Sequence, residues 1–240
     1  MLNFDAERVH GSDRRRLDEL LEQVPSELFY DNELVAAGRR KLIDAFLEWE
    51  EPNKDVPVVL DGVVGEDERE GSSPSYYNSA EVSAMLGWVD KLLRSKRIKS
   101  ARSVGILAPY RKQVEKVILA LRRHGGQFLE VGGVGFVEEF QGTERSVMIV
   151  STTRSQADLF APDVELKLGF VNNPKRFATA LTRARSLTIF VGNPFVLEKD
   201  PVWSSGTPTA DDDSAVVQLP FDAEREGRLA AAELSVDSAE

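Results

Sequence analysis

Cysteine is absent from all 240 residues, and histidine occurs only twice, at His10 and His124. Without thiols there is no disulfide and no thiolate metal site, and two histidines make a histidine metal cluster a poor expectation. A thiol-free chain fits a reducing compartment, though the same lack is harmless outside the cell. No window reaches the run of about eighteen apolar residues that a membrane-spanning helix needs. The start, Met1-Leu2-Asn3-Phe4-Asp5, has neither the basic nor the apolar region of a secretory signal. Also missing is any Gly-x-x-x-x-Gly-Lys-[Ser/Thr], the loop whose backbone cradles a triphosphate. The nearest approach, Gly65-Glu66-Asp67-Glu68-Arg69-Glu70-Gly71, has five residues between its glycines, no following lysine and four acids that would repel phosphate. It reads as a solvated loop.

What is present describes an ordinary globular chain, 42% apolar and 29% charged, long enough for one large domain with appendages. Net charge is −10, which speaks against a polyanionic partner until its distribution is considered. Lys91 to Arg123 holds eleven Lys or Arg and one acid, Glu115, whereas Asp44 to Glu70 holds ten acids against Lys54 and Arg69, and eleven acids follow Leu197. Local potential, rather than net charge, decides phosphate binding. From charge alone, a solvated basic helix face fits equally well.

The chain is organised around Val137 to Ser155. Val147-Met148-Ile149-Val150 is an unbroken apolar run, the pattern of a parallel strand covered on both faces. Before it, Phe140-Gln141-Gly142-Thr143-Glu144 offers a glycine for close backbone approach, with a carboxamide and a carboxylate suited to hydroxyls. After it, Ser151, Thr152, Thr153 and Arg154 offer hydroxyls and a guanidinium where open parallel sheets bind phosphates.

Around this strand, helices and strands alternate. Ser12 to Val24 and Asn32 to Trp49 read as helices, then Val58 to Val64 as a broken strand. Asn78 caps a helix carrying Val82, Met85, Leu86, Val89, Leu92 and Leu93, and Glu81 completes a capping-box pattern. Val104 to Ala108 is a strand, Val114 to Leu121 a helix face, and Phe128 to Val131 a further strand. A helix over Pro174 to Arg185 precedes a strand at Leu187 to Val191. The expected fold class is α/β, doubly wound, with a mostly parallel sheet flanked by helices. On the Pro174 helix, Arg176, Thr179 and Arg183 project away from the apolar stripe, although Arg176 and Arg185 read more readily as ordinary surface arginines.

Three ordered segments resemble motifs IV, V and VI of superfamily 1 RNA helicases: Ile106 to Gln113, Val137 to Ser155, and Ala180 to Arg185 followed by Val191-Gly192-Asn193-Pro194. Pro109-Tyr110-Arg111-Lys112-Gln113, the Gly65 to Gly71 segment, and Leu168-Gly169-Phe170 with Asn173 to Phe177 resemble the RNA-silencing branch, the Armitage and Moloney leukaemia virus 10 type. The resemblance covers about Pro25 to Trp203. It implies a RecA-like, P-loop NTPase-type sheet, the second of two motor domains, with ATP and Mg²⁺ held chiefly by a first domain.

Carried onto matching positions, the resemblance makes Arg183 the arginine finger at the γ-phosphate. It gives Gln141, Gly142 and Glu144 the nucleotide, with Glu144 on the ribose, and places Pro109, Tyr110, Gln113, Thr152 and Thr153 on the single-stranded RNA side. Relatives carry a Tyr-Arg pair upstream of the element seen here as Pro25 to Tyr30; Arg15-Arg16 falls there, so Arg16 stands in for the arginine while the tyrosine is gone. Expected organisation is a helical lead-in over 1–55 joining to a first motor domain, a RecA-like domain over 56–203, and a disordered acidic tail over 204–240. Implied partners are single-stranded RNA, a first RecA-like domain in cis or trans, and RNA-silencing proteins. A cytoplasmic setting is implied with them, with RNA granules as one site in it and the nucleus left open. Two functions stay open: half of a motor, or a module that binds RNA or protein without turnover.

Overall fold

A computed structural model describes residues 58–71, 73, 75–155 and 173–197. The two lead-in helices, Arg16 within the first, and the acidic tail lie outside the described residues.

Seven strands and four helices follow in chain order: β1 (Val58–Gly62), β2 (Glu68–Arg69), β3 (Tyr76–Tyr77), α1 (Ser79–Arg94), β4 (Val104–Leu107), α2 (Arg111–His124), β5 (Val134–Gly135), β6 (Arg145–Ser151), α3 (Pro174–Leu181), β7 (Ala184–Gly192) and α4 (Pro194–Leu197). Five strands form one sheet in the order β1-β7-β6-β4-β5, every neighbouring pair parallel. This is the α/β, RecA-like arrangement expected. Because side chains alternate along a strand, β6 feeds two cores. Val147 and Ile149 meet α1 and α2 through Met85, Val89, Leu92 and Val117. Met148 and Val150 meet α3 and β7 through Phe177, Leu181 and Phe190. The Phe177 and Phe190 rings stack with centroids 5.4 Å apart. Burial on both faces is the reason β6 reads as an unbroken apolar run.

Chain order reverses between β4 and β6, because β4 leads outward to β5 while β6 leads the other way to β7. In open α/β sheets the crevice outside the carboxyl ends of such strands is where ligands collect. We call that end the carboxyl edge and the opposite one the amino edge.

Four sequence expectations are corrected. Phe128 to Val131 is not a strand: Gly126–Glu130 is a single 3₁₀ turn, and the edge strand is Val134–Gly135. A short apolar run reads equally well as strand or turn, and here Gly125 and Gly126, at φ +68° and +55°, bend the chain too tightly for extension. The helix from Pro174 ends at Leu181, not Arg185, since Ala184 already pairs with Arg145 in the sheet. Glu81 does not reach back to the Asn78 amide. Asn78 Oδ1 accepts from the amides of Ala80 and Glu81, while the Asn78 amide donates to Gln113 Oε1 at 2.8 Å. Finally, the Gly65 to Gly71 loop is only partly solvated. Its Asp67 is buried, and Glu68–Arg69 pairs antiparallel with Tyr76–Tyr77.

Candidate functional site

The candidate residues divide between the two edges of the sheet. Gln141 to Glu144 enter β6 at the amino edge, and Ser151 to Arg154 leave it at the carboxyl edge. Seven residues of strand separate them, roughly 20 Å at about 3.3 Å per residue.

At the amino edge, Gln141 and Gly142 form an exposed turn with Gly142 at φ +74°. A side chain there would have open space around it but would be strained by the backbone, so glycine is what allows the turn. Arg183 joins from the turn before β7. Its carbonyl accepts from the Arg145 amide at 3.0 Å, its Nη2 donates to Thr182 Oγ1 at 3.2 Å, and its Nη1 points at the Thr143 carbonyl from 3.5 Å. The Nε is buried and bonds to nothing among the described residues.

Its neighbours differ. Arg176 pairs with Glu138 at 2.7 Å, and Arg185 with Glu144 at 2.8 Å, whereas Arg183 has no carboxylate partner among the described residues. A half-buried guanidinium with an unspent donor fits an anion, and the open Gly142 turn leaves room beside it. The chemistry therefore suits a phosphate. Glu144 is exposed and holds Arg185, so to accept from a ribose it must share or release that ion pair. No group of three His, Asp or Glu able to hold a metal ion occurs among the described residues. These residues do not fit a Mg²⁺ site.

At the carboxyl edge the crevice is filled by the protein's own side chains. Glu81, in the first turn of α1, is fully buried and accepts from the Thr153 amide at 2.9 Å and from Ser151 Oγ at 2.5 Å. Gln113 Nε2 donates to Ser151 Oγ at 3.0 Å, so α2 joins the same network. Asn78 Nδ2 donates to Ser155 Oγ at 2.9 Å. Thr153 is held at φ +69°, a left-handed conformation costly for a β-branched residue and typical of functional sites. Gly192 is required beside it: a β-carbon there would collide with the Thr152 hydroxyl.

Beyond Thr153, Arg154 is 1% exposed and forms a buried ion pair with Asp67, its guanidinium 3.9 Å from the Tyr76 ring centre. The guanidinium read from sequence as a phosphate ligand is thus turned inward. Tyr110 is buried edge-on against Tyr76, with ring centroids 5.6 Å apart. Pro109, Gln113, Thr152 and Thr153 are buried as well. The residues matched to the RNA side are therefore brought together, but as the support of a loop rather than as a bare surface. Sequence reasoning missed Asp67 and the true partner of Glu81. An Asn-x-x-Glu pattern before an apolar run had signalled only a helix cap.

Burial pushes the Glu81 carboxyl up to about 8, against the bonds from Ser151 and from the Thr153 amide, which favour its charge. An unfolded glutamate titrates near ~4.3, so between these values the folded state holds a proton that the unfolded state has released. The stabilisation is complete below the unfolded value and is lost as pH rises through the folded one. Melting temperature should accordingly fall from pH 5 toward pH 8 and level off above. In Glu81→Gln, which cannot ionise, that component should vanish from a pH series of thermal melts; an undiminished fall would assign it to other groups.

Residues 12–194 match the family model described as an AAA domain. A Gallus gallus protein named as helicase MOV-10 is 43% identical over 215 residues, 84% of this chain and 22% of that protein. The RNA helicase Mov10l1 of Homo sapiens is 42% identical over 192 residues, 79% of this chain and 16% of that protein. From Drosophila melanogaster, the RNA helicase armi is 35% identical over 190 residues, 75% of this chain and 16% of that protein. The chain belongs to the AAA-domain family, in its superfamily 1, Upf1-like branch. Within that group its likeness is to the MOV10 and Armitage type. It spans about a fifth or less of the length of these relatives.

Proposed function

We propose that this chain is the second motor domain of an ATP-dependent RNA helicase linked to RNA silencing or RNA decay. In this reading the amino edge faces a first domain across a nucleotide cleft. ATP, when bound there, supplies the phosphoryl group. Arg183 then neutralises charge on the γ-phosphate, Gln141 and the Gly142 backbone line the nucleotide, and Glu144 meets the ribose. The carboxyl edge carries RNA on the loops that Glu81, Gln113 and the Asp67–Arg154 pair hold in place.

One observation carries the reading: of three neighbouring arginines, Arg183 alone lacks a carboxylate among the described residues, and it keeps a buried donor unspent there. Burying an unsatisfied donor costs roughly 1–3 kcal/mol, a penalty that an anion would relieve. A photoreactive ATP analogue, added with a separately produced first domain, should label the 141–145 peptide or the peptide containing Arg183. Labelling confined to the first domain would instead favour the second reading, a module that binds RNA or protein without turnover. The absence of a phosphate loop in these 240 residues is what keeps that alternative in view.

A further inference from the structure

The basic run from Lys91 to Arg123 does not form one surface. At the carboxyl edge, its three cations on the first turns of α2 are paired with two carboxylates: Arg111 with Glu115 at 3.2 Å, Lys112 with Glu115 and Glu70, and Lys116 with Glu70 at 2.5 Å. The hydrogen bonds from Lys116 and Lys112 hold the Glu70 carboxyl below its ordinary range, as expected of a carboxylate clasped by two ammonium groups.

The remaining eight lie about 20 Å away, since α2 runs fourteen residues at ~1.5 Å each to the amino edge. There the last turns of α1 and α2 converge. Lys91, Arg94, Lys96, Arg97, Lys99, Arg102, Arg122 and Arg123 are all exposed. Arg94 pairs with Asp90 at 2.8 Å and Arg102 with Glu130 at 3.9 Å, whereas Arg122 and Arg123 have no carboxylate partner among the described residues. The segment that carries Arg102 is tied to the chain beyond the second helix, since Ser100 Oγ donates to Glu130 and the Gly132 amide donates to the Ala101 carbonyl.

There lies a groove of about 360 Å³ between Arg94 and Leu93 on one helix and His124, the last residue of the other, with Phe128 just beyond it. The His124 and Phe128 rings stack with centroids 4.7 Å apart and planes 19° from parallel. Phe128 is half-buried against the core and His124 exposed, so the outer face of the imidazole is open to a planar partner. Gly125 and Gly126 beside it have open space where side chains would be.

We propose that this amino-edge groove is a second contact for single-stranded RNA, with phosphates on Arg94, Arg122 and Arg123 and a base stacked on His124. Cations around an aromatic platform are what binds single strands without reading their sequence. An acidic peptide would use the charges but not the ring or the bare glycines. The proposal rests on the reading that this chain handles RNA. It goes beyond that reading, because the groove lies across the domain from the loops matched to the RNA track.

The test uses the whole 240-residue chain and a labelled oligouridylate of about 12 nucleotides, within the range of single-strand site sizes. Affinity is followed against salt, with ultraviolet crosslinks mapped to peptides. Arg122→Glu with Arg123→Glu should lower affinity at low salt at least ~10-fold and flatten the slope of log affinity against log salt by about 1.4, near 0.7 for each phosphate lost. His124→Ala should cost about 10-fold on oligouridylate and nothing on an abasic strand of equal length. Crosslinks should fall within 122–130.

Unchanged affinity in these variants, with crosslinks only at the carboxyl edge, would overturn the proposal and leave RNA handling intact. A chain that binds no RNA anywhere would overturn both. Equal competition by oligoglutamate, indifferent to His124→Ala, would assign the groove to an acidic peptide and overturn the proposal too.

Discussion

Arg183→Ala is expected to lower ATP hydrolysis by ~10³- to 10⁵-fold when this chain is combined with a first motor domain, the scale on which an arginine finger acts in phosphoryl transfer. The reason is local. Charge develops on the oxygens of the transferring group, and a preformed donor worth little in water is worth far more in a closed cleft. Arg183 is preformed in this sense: its backbone is tied to β6 through Arg145 and its Nη2 to Thr182, while Nε is left over. Arg185→Ala serves as the control. That side chain is half exposed and spent on Glu144, so its loss should change activity less than about 10-fold and stability by under ~1 kcal/mol. Steady-state hydrolysis by the two variants decides the matter. Equal loss in both would mean that the turn, rather than the guanidinium of Arg183, is what matters.

The second large effect concerns stability. Asp67→Ala should cost about 3–5 kcal/mol, because it removes the carboxylate of a buried ion pair in a site where the Arg154 side chain is 1% exposed and the aspartate side chain 0%. Arg154→Ala should cost a similar amount. The double variant should lose clearly less than the sum, since both single changes break the same buried pair. Denaturant unfolding of the three proteins gives the coupling directly; strictly additive losses would contradict the pairing. Because Asp67 Oδ1 also accepts from the Ser155 amide at 3.1 Å, Asp67→Ala should loosen the loop after β6 ahead of global unfolding.

Some of this architecture is legible in sequence because its cause is local. The cap at Asn78 and the apolar spacing of α1 delimit a helix that the structure places at Ser79–Arg94. The uniform apolar run of β6 follows from its two covered faces. Phe128-Leu129 was ambiguous because two apolar residues carry no period, and the glycines before them decided the outcome. Neither Asp67 with Arg154, 87 residues apart, nor Arg185 with Glu144, 41 apart, leaves a spacing to be read. An acid inside a run of acids looks solvated until its partner is known. The candidate finger was legible only through resemblance to a family. What sets it apart from Arg176 and Arg185, the lack of a carboxylate among the described residues, depends on which acids the fold brings near.

Whether this chain is half of an ATP-driven motor is tested most directly by ATP hydrolysis measured on three samples: the chain alone, a first motor domain alone, and the two mixed with single-stranded RNA. The account predicts background rates for the chain alone and a marked rise only in the mixture, because the phosphate loop and Arg183 must meet across one cleft. Robust hydrolysis by the 240-residue chain alone, or a mixture no faster than the first domain by itself, would contradict it.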